Sequence, residues 1–139
     1  MCGIIGIQNN SEAATLAYMG LYAQQHRGQE GAGVVSSDGT VLHRHMGQGL
    51  VADVFSDSAV FDSLIGDSAI GHVRYSTTGN SDPKNVGPLT FNMGDYSLSI
   101  AHNGNLVNID EIRKELQENG TLFQTSTDTE IIIHLLARE

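Results

Sequence analysis

The run Val34-Val35-Ser36-Ser37, then Asp38-Gly39, then Thr40 to His45 constrains the fold most, because it sets a favoured two-residue turn between two β-prone runs. Such a hairpin lays its two strands side by side and antiparallel. Gly3 to Ile7 reads as another short buried strand, and Ser11 to Gln25 as a helix with Leu16, Met19, Gly20 and Ala23 on its apolar side. Residues 51–66 suit one or two short helices. Ser68 to Arg74 is the next expected strand, and it runs into the polar, turn-rich segment 75–88. Phe91 ends a further strand before Met93-Gly94-Asp95 turns the chain, and Tyr96, Leu98 and Ile100 alternate with small polar residues in a half-buried strand. Asn108 with Glu111, and Thr127 with Glu130, have the spacing of capping boxes opening two last helices, the first stopping near Asn119-Gly120. The second of these helices ends without a breaker, which fits a chain that stops inside a larger domain.

Interleaved strands and helices, with no repeat and no interdomain linker, predict one domain of 139 residues. Hydrophobic residues at 40% and charged residues at 17% place it among ordinary globular chains rather than disordered ones. Sixteen acidic residues against seven basic ones give a net charge of −9, so the protein's own field opposes a phosphate backbone and nucleic acid is a poor partner. No apolar run reaches membrane-spanning length, and the N-terminus lacks the basic region of a signal peptide, which points to the cytoplasm and away from a membrane. One cysteine cannot form an internal disulfide or a cysteine-ligated zinc site, and no metal or other cofactor is expected in this chain.

That cysteine is Cys2, directly behind Met1. Loss of Met1 gives the thiol an α-amine of its own, and a free α-amine titrates near ~8, suited to taking a thiol proton. Taken alone, Cys2 is more simply a small hydrophobe opening a strand. Three other stretches present the same choice. Arg74 ends its strand with a planar fork that fits a carboxylate, yet an arginine beside a loop is usually solvated, and His72 is more simply a satisfied structural histidine. Asn103 and Gly104 can offer an amide and a backbone N–H to an oxyanion, yet Asn-Gly is also a common turn. Asp128 can hold an ammonium or merely complement a helix dipole. Together they make a nucleophile with a built-in base, an oxyanion hole, a carboxylate grip and an ammonium grip.

In this order along residues 1–130, "MCGI", "QHRGQEGAG", "HVRYSTTG", "AHNGNLVN" and "STDTE" resemble the glutaminase domain of the amidophosphoribosyltransferase family, within the class II glutamine amidotransferases. The resemblance implies an α+β fold, the αββα four-layer sandwich of N-terminal nucleophile hydrolases, present here as its N-terminal part over residues 1–139. It implies that Cys2 attacks the carboxamide of glutamine, with Asn103 and Gly104 as oxyanion hole. Arg74 grips the substrate α-carboxylate, Asp128 grips its α-ammonium, and Thr77 lies in the glutamine loop. It further implies that the ammonia serves a phosphoribosyltransferase domain outside this chain, where Mg2+ belongs, and that the full-length enzyme is a homo-oligomer. Where the family shows Asn-Ala-Gln-Pro, this chain has Asn85-Val86-Gly87-Pro88. Glucosamine-6-phosphate synthase is the nearest rival, but its usual "RGYDSAG" and "TRWATHG" stand against "HRGQEGAG" and "VRYSTTG" here. An inactive fragment or assembly module is the alternative of another kind.

Overall fold

The computed structural model describes residues 1–76 and 82–138. Four strands, β1 (Gly3–Ile7), β2 (Gly31–Ser37), β3 (Leu42–Gln48) and β4 (Ser68–Arg74), form an antiparallel sheet in the order β1-β4-β2-β3. A second antiparallel pair joins β5 (Leu89–Met93) to β6 (Tyr96–Ile100). Helix α1 (Ala13–Ala23) covers one face of the four-stranded sheet, and the β5–β6 hairpin lies over part of the other. Helices α4 (Ile109–Glu118) and α5 (Asp128–Leu136) pack beyond that hairpin, which completes a helix, sheet, sheet, helix layering. Two single-turn helices, α2 (Val51–Val54) and α3 (Val60–Ser63), connect β3 to β4.

Three sequence expectations change. The buried side of α1 is Ala13, Ala14, Ala17 and Leu21, whereas Met19 is 58% exposed and Ala23 is exposed too. Small residues face the sheet because the helix sits close to it: a Cβ on Gly71 would stand 2.9 Å from both Ile5 and Leu21, and one on Gly20 would overlap the Ile5 side chain. The hairpin turn spans four residues, since Ser37 pairs with Leu42. Asp38 causes this, because its carboxylate accepts the N–H groups of Thr40 and Val41 at 2.8 Å each and pairs with His43 at 2.9 Å. The His43 hydrogen bond and these two N–H groups hold the carboxyl down at about 2.

Neither capping box forms, as the side chains of Asn108 and Thr127 make no cap hydrogen bond. Glu130 is instead fully buried and accepts from the N–H groups of Gln124 and Thr125 and from the Thr125 hydroxyl, at 2.7–2.8 Å. A buried carboxylate is stable only with such donors, and these tie the loop before α5 to the helix. Arg113 adds bonds to the carbonyls of Thr125 and Thr127 while stacking over Phe123. The start of α5, with Asp128 as its first residue, is thereby fixed. Asn85 joins the two halves, giving its amide N–H to the Ser126 hydroxyl and accepting the Ser126 N–H.

Candidate active site

A cavity of about 580 Å³ opens where the C-terminal end of β4 meets the segments after β6 and before α5. Cys2, Arg74, Gly104 and Asp128 all line it, together with His72 and Asn85. Antiparallel register explains the first two: Gly3 pairs with Val73, so the residue before β1 lies beside the residues ending β4. The Cys2 sulfur accepts the Tyr75 N–H at 3.4 Å and lies 3.5 Å from the Tyr75 carbonyl, ordinary distances for sulfur, whose hydrogen bonds are weak and hold the thiol lightly. The Cys2 carbonyl accepts a hydrogen bond from Arg27 Nε at 3.1 Å.

Arg74 is anchored by one bond, from Nη1 to the Asn85 carbonyl at 3.1 Å. Glu30 stands 3.8 Å from Arg74 Nε, outside hydrogen-bond geometry, while its other oxygen accepts the N–H and hydroxyl of Ser76 at 2.8 Å each. Asp128 accepts the Leu106 N–H at 3.1 Å and lies 3.4 Å from His102 Nδ1. The Arg74 and Asp128 side chains are only 15% and 14% exposed, so a charged ligand between them meets little water. An α-amino acid, with one carboxylate and one ammonium, complements this pair.

Not every expected site residue converges. Gly104 and Asn105 line the cavity, but the side chain of Asn103, half-buried next to them, does not. Thr77 lies outside the described residues. Sequence reasoning does not single out Asn85, Glu30, Arg27 or His102, although all four sit within quoted stretches. Only the fold shows that Asn85 links Arg74 to the loop before Asp128.

His72 departs from the expected satisfied histidine. It is 5% exposed and neither ring nitrogen reaches hydrogen-bond geometry, although the His102 backbone is near enough to oppose the shift slightly. Burial, then the Arg74 charge, lowers its pKa from 6.5 to about 4. Between these values the unfolded chain binds a proton that the folded chain refuses. Stability is therefore intact above about pH 6.5 and falls as pH drops toward 4, by on the order of 3 kcal/mol. In urea titrations near pH 7.5 and near pH 4.5, His72→Phe should show a smaller difference between the two conditions than the wild type. An equal difference would show that His72 does not carry this part of the acid response.

Comparison with known proteins places the same features in a wider set. A family profile described as a glutamine amidotransferase domain matches residues 56–139. Amidophosphoribosyltransferase 2, chloroplastic, of Arabidopsis thaliana is 54% identical over 98% of this chain, which spans 24% of that relative's length. The amidophosphoribosyltransferase of Lacticaseibacillus casei is 44% identical over 99% of this chain and 71% of its own length. Among solved structures, one described as the allosteric regulatory enzyme of purine biosynthesis superposes with a TM-score of 0.93 at 46% identity, covering all of this chain and 30% of that one.

Proposed function

Because the chain belongs to the amidophosphoribosyltransferase family of glutamine amidotransferases and has the fold of the N-terminal nucleophile hydrolases, we propose that it hydrolyses glutamine to glutamate and ammonia through Cys2. The observation that carries this reading is the meeting of Cys2, Arg74, Gly104 and Asp128 on one cavity. Removal of Met1 frees the Cys2 α-amine, which takes the thiol proton as sulfur attacks the side-chain carboxamide. The Gly104 N–H and the Asn103 amide stabilise the resulting oxyanion. Collapse of the tetrahedral adduct breaks the C–N bond, and the amine returns its proton to departing ammonia. Water then cleaves the γ-glutamyl thioester, which gives glutamate and restores the thiol. Arg74 and Asp128 hold the α-carboxylate and α-ammonium throughout.

We propose further that in a longer enzyme the ammonia goes to a phosphoribosyltransferase domain that makes phosphoribosylamine from phosphoribosyl pyrophosphate, a reading supported by relatives named amidophosphoribosyltransferase. Mg2+ belongs to that domain's chemistry, and no residue of this chain is assigned to it. We further propose a cytoplasmic location and a homo-oligomeric full-length state. Among the described residues no helix is long and apolar enough to cross a membrane. The test is to incubate the purified chain with glutamine after intact-mass confirmation that Met1 is gone. Equal amounts of glutamate and ammonia are expected. A folded, Met1-free chain that releases neither overturns the reading.

A further inference from the structure

Arg27 closes a 3-10 turn (Gln25–Arg27) that the structure holds firmly. Gln25 clamps the turn by donating to the Gly28 carbonyl at 2.6 Å and accepting the Val51 N–H at 2.7 Å. Gly28 lies so close to the backbone of Arg74 that a Cβ there would stand 2.5 Å from its carbonyl oxygen. From this fixed base, Arg27 donates Nε to the Cys2 carbonyl at 3.1 Å, while Nη2 lies 3.9 Å from the Met1 sulfur. No carboxylate among the described residues pairs with Arg27. Glu30, the nearest acid in sequence, is engaged by Ser76 and faces Arg74.

A residue's carbonyl oxygen lies about 3–3.6 Å from its own nitrogen, so the guanidinium is within about 7 Å of the Cys2 nitrogen. Once Met1 is removed, that nitrogen is a titratable amine beside an uncompensated cation. A like charge disfavours the protonated amine, and only the unprotonated amine can take the thiol proton. The charged and titratable groups on the surrounding elements are His26 on the same turn, Glu30 leading into β2, His72 and Arg74 on β4, Tyr75 just after β4, and His102 with Asp128 across the cavity. Of these, Tyr75 touches the Cys2 sulfur through its backbone, while Arg27 holds the Cys2 carbonyl with its guanidinium.

Resting on the glutaminase reading, we propose that Arg27 is a positioning residue that fixes the Cys2 carbonyl and, by its charge, keeps the Cys2 α-amine unprotonated and ready to act as base. The test is the pH profile of kcat/KM for glutamine, whose acid limb reports ionisation of the free enzyme's amine–thiol pair. Arg27→Gln should move that limb to higher pH by about one unit, and Arg27→Lys, which keeps the charge, should leave it near its wild-type position. A limb that stays in place in a folded, Met1-free Arg27→Gln chain overturns the proposal, as does an equal displacement in both variants. If Arg27→Gln does not fold, Arg27→Met, which keeps the aliphatic stem and removes the charge, takes its place with the same displacement expected. An unmoved limb in that folded variant overturns the role of Arg27 while leaving the glutaminase reading intact; a wild-type chain without activity at any pH overturns both.

Discussion

Cys2→Ala should lower glutamine hydrolysis at least about 10³-fold while leaving the melting temperature nearly unchanged. The reasoning has two independent parts. Chemically, no other group in the cavity combines an intrinsically strong nucleophile with an amine that removal of one residue places on the same Cα. His72 cannot substitute, since its ring is buried, and the cavity hydroxyls, Ser76 with its bond to the Glu30 carboxylate among them, are far weaker nucleophiles than a thiol. Structurally, the thiol makes two weak sulfur hydrogen bonds with the Tyr75 backbone, so its deletion removes little from the folded state. Alanine is also small enough to permit loss of Met1, which keeps the N-terminus comparable. Glutamate release and a thermal melt decide the matter, with an electrophilic glutamine analogue as a second probe that should label wild-type Cys2 and leave Cys2→Ala unlabelled. Retention of more than a few per cent of activity would place the nucleophile elsewhere.

Elements whose signal is local were readable before the structure was known. β1 and β4 lie where their apolar runs predict, and Gly120, at φ +88°, ends α4 as the Asn119-Gly120 pair suggests. Misreadings arose where a side chain had two possible partners. The Asp38 carboxylate serves backbone N–H groups and His43, so the turn widens. Glu130 has capping-box spacing with Thr127, but its carboxylate is drawn into the preceding loop by three donors. Periodicity misplaces the buried face of α1 because it weighs Met19 and Leu16 above alanine, whereas close packing against Gly71 and Ile5 selects the small side. At the candidate site, the motifs single out Arg74 and Asp128, and the structure brings both to one cavity. Asn85 is not singled out, because its value lies in joining Arg74 to Ser126, a contact 41 residues away in sequence.

Arg74 and Asp128 give the second large expected effect, and here the substrate role and a structural role separate cleanly. If Asp128 only complements the dipole of α5, Asp128→Asn costs about 0.3–1 kcal/mol of folding stability and leaves catalysis alone. If it grips the substrate ammonium with a side chain only 14% exposed, the same change costs roughly 2–4 kcal/mol of transition-state stabilisation, about a 30- to 1,000-fold fall in kcat/KM. Asparagine can still accept the Leu106 N–H, so the loop that Asp128 holds should survive. Arg74→Lys tests the other end, since an ammonium keeps the charge but cannot make the two-pronged contact of a guanidinium with a carboxylate. Arg74 gives one bond to the Asn85 carbonyl, which lysine can replace, so a comparable loss of kcat/KM with a small change in melting is expected. Substrate choice supplies a sharper check than rate alone. A glutamine analogue lacking the α-ammonium should be a poor substrate for the wild type but should lose little further in Asp128→Asn, because the group that Asp128 holds is already missing. Both variants melting early while hydrolysing glutamine normally would show that the pair is structural and that the α-amino acid is held by other residues.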